Sequence, residues 1–309
     1  MRWRGRADIE DSILSENEKR AETAAEQVTQ LVDLLAVETI DVDLYRGARQ
    51  PGGVGRVFGG QVIGQALQAA QRSVEGKDAH SLHAYFMRPG NEDFPIIYRV
   101  VRDYDGGSFA NRRVIALQQG VPILNMIASF QRPEDGLSHQ ADMPDVPGPD
   151  DLRSEFDLRE EIRDHVPEKF RPFFLRPRPI EIRPCSPRNW FKPEKRDPVQ
   201  HSWFRTAAAL PDDPALHRAI LSYASDMMLL GTATLPHGVN WMTRGLQSAS
   251  LDHAVWLHAP LRADDWLLYT TDSPWAGHAR GFNRGRIYSR DGRLVASVAQ
   301  EGLMRMREG

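Results

Sequence analysis

The sequence predicts an α+β protein built of two similar units, each a curved antiparallel sheet wrapped around one central helix. Three observations predict it. A helix rich in small residues is followed by several strand-like segments, the same order returns later in the chain, and a proline-dense stretch separates the two runs.

Residues 1–24 are polar and charged and read as a disordered extension. "EQVTQLVDLLAVETID" (26–41) carries Val28, Leu31, Leu34 and Leu35 at helical spacing, which predicts a short amphipathic helix opening a first unit over 25–132. In "GGVGRVFGGQVIGQALQAAQRSV" the glycines predict a sharp turn into a helix from about Gln61 to Ser73. Its Gly60, Gly64, Ala66, Ala69 and Ala70 allow close approach to neighbouring backbone. "HSLHAYFMRPG", "PIIYRVVRDYD", "FANRRVIALQQG" and "VPILNMIASFQ" then read as strands with short turns.

Residues 133–198 hold 12 of the 21 prolines, a density that predicts a connector wrapped over the surface, with a helical patch near 151–164 and a strand-like piece at Ile180–Ile182. The second unit, 199–309, repeats the pattern: a helix over about 213–230, then strands at 246–258, 266–272, 279–290 and 293–305. Residues match as well. "HAYFMRPGNEDFPIIYRV" (83–100) aligns with "AVWLHAPLRADDWLLYTT" (254–271), pairing Pro89 with Pro260 and Tyr98 with Tyr269. "QGVPILNMIASF" aligns with "DGRLVASVAQEG", pairing Gly120 with Gly292. Two such units are expected to pack as an internal pseudo-dimer.

Composition narrows the function classes. The 309 residues are 41% hydrophobic and 26% charged, with a mean hydropathy of −0.49 and no apolar run long enough for a membrane span. A net charge of −3 gives no global field for nucleic acid or anionic membranes. The start, "MRWRGRADIEDS", lacks the apolar stretch of a secretory signal, and the end, "MRMREG", is neither a peroxisomal address nor a prenylation box. With Cys185 as the single cysteine there is no intramolecular disulfide, and a cytoplasmic setting is expected.

The repeat exposes an asymmetry. Asp226 interrupts the otherwise largely apolar helical stretch "LSYASDMMLL", although aspartate is a poor helix former and its burial is costly without partners. Gln300, on the strand "RLVASVAQEGLMR", alternates with Leu294, Ala296, Val298 and Met304 on an apolar face, where its partner in the repeat is Ala128. In "LQSASLDHAVWLH", alternation puts Ser250 on the face of Ser248, Asp252 and Trp256. A carboxylate, a hydroxyl and a primary amide together can hold and polarise one water; equally, each can satisfy a buried polar neighbour.

"RVFGGQVIGQAL", "HSLHAYFMRPG", "YASDMMLL", "LDHAVWLH" and "LVASVAQEGLMR" resemble signature segments of the acyl-CoA thioesterase II family, over about residues 26 to 306. The resemblance implies a tandem (double) hotdog fold and hydrolysis of acyl-CoA to free fatty acid and CoA, with neither metal nor cofactor. It implies an active site of Asp, Thr or Ser, and Gln around a nucleophilic water, roles that fall on Asp226, Ser250 and Gln300. Serine for threonine keeps the hydroxyl and loses a methyl. Further homo-oligomeric assembly is also implied.

Other features weigh less. His80, His83 and His253 lie on strands, where a structural role is the commoner one, and no HExxH or Cys/His ligand spacing suggests a metal. "GGVGRVFGG" lacks the Gly-Lys-Ser/Thr ending of a phosphate loop, yet its place before a helix allows contact with CoA phosphates; Arg112 and Arg113 read as a solvated face. Gly-x-Ser-x-Gly is absent, against an α/β-hydrolase. The competing functions are a hotdog enoyl-CoA hydratase or dehydratase, which resembles an Asp with a His farther along one helix, and a non-catalytic acyl-CoA-binding protein. Gly231 stands five residues beyond Asp226 and the next histidine is His237, past the expected helix end.

Overall fold

A computed structural model of the chain describes residues 24–50, 55–168 and 171–307. The extension expected over 1–24 lies, but for residue 24, outside the described residues. Helix α1 (24–35) buries Val28, Leu31, Leu34 and Leu35, the four residues at helical spacing. It stops short of the expected 41, because β-branched "VETID" forms strand β1 (Val37–Asp41) against β2 (Leu44–Gly47). Helix α2 (Gly59–Gln71) is buried along most of its length and touches the strands that follow: β3 (Asp78–Phe86), β4 (Ile96–Asp105), β5 (Phe109–Gln118) and β6 (Val121–Gln131).

The proline-rich stretch carries short helices α3 (Glu155–Glu161) and α4 (Arg171–Phe174) and strand β7 (Ile180–Pro184). Its early part lies across the sheet that follows: Trp203 Nε1 donates to the Pro147 carbonyl and Tyr288 Oη to that of Asp142. Then come β8 (Val199–Thr206), α5 (Pro214–Ser225), β9 (Leu246–Ser250), β10 (Asp252–Leu257), β11 (Leu267–Gly277), β12 (Arg280–Ser289) and β13 (Leu294–Met306).

All pairings are antiparallel, in the order β1-β2-β4-β5-β6-β3-β10-β13-β12-β11-β8-β7, with β9 pairing β13 off this path. Read from either end, each strand meets its counterpart: β3 and β10 join at the centre, and β6 faces the role of β13. The register agrees with the aligned repeat. Leu82 opposes Ala128, and with Ala254 opposite Ala299, His253 falls opposite Gln300. Gly120 and Gly292, aligned in the sequence, both take positive φ (79° and 88°) in the turns before β6 and β13.

Helices α2 and α5 cross backbone to backbone at glycines. A Cβ on Gly60 would lie 2.3 Å from the Tyr223 carbonyl oxygen, and one on Gly64 would lie 3.2 Å from that of Ala219. The crossing is therefore antiparallel, and it sets the start of α2 beside the end of α5. Among the described residues no helix is long and apolar enough to cross a membrane.

Candidate active site

Helix α5 ends earlier than the apolar pattern predicts. Its last residue is Ser225, and Asp226 is the C-cap, followed by turns rather than helix. The Tyr269 hydroxyl donates to the Ser225 carbonyl, satisfying one of the last carbonyls at that end. A carboxylate at a helix C-terminus faces the unfavourable end of the dipole. Here the start of α2 lies opposite it: a Cβ on Gly59 would stand 2.6 Å from Asp226 Oδ2 and 2.9 Å from the Phe86 ring.

The two helix starts differ. At α5 the Asp213 side chain accepts from the Ala215 and Leu216 amides, closing that end. At α2 the N-cap is Phe58 and no side chain caps the helix. The start of α2, without a side-chain cap, thus lies beside the Asp226 carboxylate, and its Gln61 amide takes the Phe58 carbonyl at 3.1 Å.

Asp226, Ser250 and Gln300 come together here. Gln300 Nε2 donates to Asp226 Oδ1 at 2.6 Å, the Ser250 hydroxyl donates to the same oxygen at 3.2 Å, and Gln300 Nε2 lies 3.1 Å from Ser250 Oγ. Gln300 is fully buried and Asp226 is 9% exposed. Gln300 Oε1 is buried with no hydrogen-bond partner among the described residues.

Strict alternation puts Ser250 on the face of Asp252 and Trp256, and the structure corrects this. Ser250 opposes Gly302 while Ala254 opposes Ala299, so the β9–β10 side holds one residue more than β13 between these pairs. That bulge at Leu251 turns Ser250 inward, the same side as His253, and leaves Asp252 to accept the Glu301 amide.

His253 belongs to this network, although the sequence favoured a plain structural role. Burial holds its pKa below the ordinary value, with Asp226 opposing the shift. The neutral ring accepts from Gln300 Nε2 at Nδ1 (3.0 Å) and donates from Nε2 to Ser225 Oγ (2.8 Å), which passes its own proton to the Ser222 carbonyl. Its only sequence signal is its place opposite Gln300, where the first half has Leu82 opposite Ala128.

Other candidates separate from the site. Arg112 is buried, not solvated, and is bound by Ser73 and Asp105, while Arg113 pairs with Asp103 at 3.2 Å. His80 bonds Ser129, and His83 stacks edge-on against Trp256. Residues 52–54 of the glycine-rich loop lie outside the described residues.

A family model described as acyl-CoA thioesterase matches residues 171–303, and one described as the acyl-CoA thioesterase N-terminal domain matches 48–131. The human acyl-coenzyme A thioesterase 8 is 41% identical over 283 residues, covering 89% of this chain and 88% of its own. Acyl-CoA thioesterase 2 of Haemophilus influenzae is 39% identical over 90% of this chain and 98% of its own. The crystal structure of an acyl-CoA thioesterase II from Mycobacterium marinum aligns at a TM-score of 0.72 with 39% identity, covering 90% of this chain and 97% of that one. A hotdog-fold protein from Alicyclobacillus acidocaldarius, 20% identical, aligns at 0.71 over 89% of this chain and 98% of its own, and supports the fold alone. The α+β architecture is thus of the hotdog type, and the chain belongs to the acyl-CoA thioesterase II family of thioester hydrolases.

Proposed function

We propose that Asp226, Ser250 and Gln300 hold and activate the water that hydrolyses an acyl-CoA thioester. The observation that carries this reading is their mutual hydrogen bonding in front of the uncapped start of α2. Ser250 and Gln300 orient the water, with the unpartnered Gln300 Oε1 as an acceptor for one of its protons. Asp226 takes the other proton as the oxygen attacks the carbonyl carbon. First-turn amides of α2 at Gly59 and Gly60 receive the developing oxyanion. Collapse breaks the carbon–sulfur bond, and the proton on Asp226 passes to the departing CoA sulfur. His253 keeps the Gln300 amide in place and moves no proton, because both of its nitrogens are committed. Hydration chemistry would need a free histidine beside Asp226, and His253 does not supply one.

We also infer that the sheet is two hotdog units in tandem, 25–132 and 199–309, joined by 133–198, with the site at their contact. The palindromic strand order supports this. The test is thiol release from a chain-length series of acyl-CoAs, run beside the change in enoyl-CoA absorbance. Free thiol with no enoyl turnover is expected; binding without thiol release would refute the reading.

A further inference from the structure

Acyl-CoA carries its fixed negative charge on the nucleotide's phosphates. A guanidinium near the site that lacks a counter-ion is therefore matched to that end of the substrate. Such a group lies on the proline-rich connector. A cavity of about 550 Å³ is lined by Phe156, Arg159, Arg176, Arg178 and Ile182, among others, and bordered by α1 at Gln27.

Its carboxylates are already committed. Glu155 pairs with Arg159 at 2.6 Å, Glu160 with Arg163 at 3.5 Å, and Glu181 with Arg183 and Arg205 at 2.7 and 3.0 Å. Arg159 is itself buried, lies over the Phe174 and Trp190 rings, and leaves its Nε without a partner. Arg178 is half-buried and makes no hydrogen bond or ion pair among the described residues. Burial and the neighbouring Arg159 and Arg176 pull its pKa down, with Glu155 and Tyr223 opposing. Arg178 is thus a guanidinium without an ion pair among the described residues at a partly desolvated place, which favours an anion with several acceptor oxygens.

Tyr223 stands one helical turn before Asp226 and stacks edge-on against Phe58, the N-cap of α2, at 5.1 Å; burial raises its pKa, and Arg178 and Arg176 oppose the shift. We infer that Arg178 is the binding subsite for a phosphate group of CoA, holding the nucleotide while the thioester reaches Asp226. This rests on the thioesterase reading above.

The test compares one acyl group on two carriers, CoA and phosphate-free pantetheine, using the full chain. Arg178→Gln is expected to raise KM for acyl-CoA about ten- to a hundredfold, the range for one charge-assisted contact, with kcat little changed. Activity on acyl-pantetheine should change by no more than about twofold. Arg178→Lys should recover part of the affinity, and Arg113→Gln, on the opposite half, should leave KM unchanged. Dephospho-CoA beside CoA as product inhibitor tells the 3′-phosphate from the diphosphate: the form whose inhibition weakens in Arg178→Gln carries the contacted group. An unchanged KM for acyl-CoA, or an equal loss on both carriers, would overturn the assignment. The second result would place Arg178 on the acyl side or in folding. Wild-type protein inactive on both carriers would instead refute the thioesterase reading, and it is seen before any variant is made.

Discussion

Gln300 Nε2 and Asp226 Oδ1 meet at 2.6 Å on a strand face that is otherwise hydrocarbon. The contact joins β13 to the end of α5, and it leaves Gln300 Oε1 as a buried acceptor without a partner among the described residues. Two polar side chains so placed cost stability unless each supplies what the other needs.

Asp226→Asn tests the proton acceptor. The variant is expected to fold, because the asparagine carboxamide oxygen still accepts from Gln300 Nε2 and the Ser250 hydroxyl. Removing a positioned base costs about a hundred- to ten-thousandfold. Steady-state kinetics should show that loss in kcat with little rise in KM. Hydrolysis at the wild-type rate would make Asp226 a structural acceptor.

Ser250→Thr should retain activity, since the hydroxyl is kept. Ser250→Ala should lose about tenfold or more in kcat, less than Asp226→Asn, because its 3.2 Å bond to the carboxylate is the longer of the two. Alanine matching wild type in turnover would show the hydroxyl to be idle.

His253→Leu installs the residue found at the corresponding place in the first half. It removes the Nδ1 acceptor and frees the Gln300 amide to rotate. A fall in kcat of about tenfold with unchanged KM is expected, and His253→Gln should recover part of it. A loss of melting temperature with kcat intact would make the ring structural only.

Gly59→Ala brings a methyl within 2.6 Å of Asp226 Oδ2. It should abolish most turnover, by about a hundredfold or more, while Gly107→Ala, whose added methyl meets nothing within 4 Å, should leave turnover unchanged. Activity in Gly59→Ala equal to wild type would mean that the start of α2 does not confront the carboxylate.

Stability should fall on the acid side. Burial lowers the pKa of His253 and of His217, whose Nδ1 accepts the Ala263 amide. The unfolded chain then binds more protons than the folded one below the ordinary histidine value of 6.5. Their neutral forms are fully accommodated above that pH, and stability is lost as pH drops from it towards the depressed folded values. Thermal melts from pH 8 to 5 should show this slope, and His217→Gln should flatten part of it.

Much of the fold was legible because apolar spacing and turn glycines are local signals. Helix α2, the strands after it and the second run follow from them, as do the buried face of Gln300 and the apolar setting of Asp226. What was hidden depends on distant partners. Nothing local says that Tyr269 will take the Ser225 carbonyl where α5 ends, or that "VETID" will find β2 instead of extending α1. The inward turn of Ser250 needs one extra residue against β13, which alternation along a single strand cannot reveal. Arg112 reads as surface until Ser73 and Asp105 are beside it.

The tandem arrangement proposed above has an evolutionary consequence. Were the two halves separate identical chains, each substitution would be made twice, and a pocket could be refined only together with its mirror image. Carried on one polypeptide, the copies are released from each other. One could keep an acid cap on Asp213 and furnish Asp226, His253 and Gln300, while its sibling lost its cap, filled the matching places with Leu82 and Ala128, and turned a bare helix start towards the other. Fusion thus converts a symmetric pair into a division of labour that no assembly of equals can reach by mutation alone.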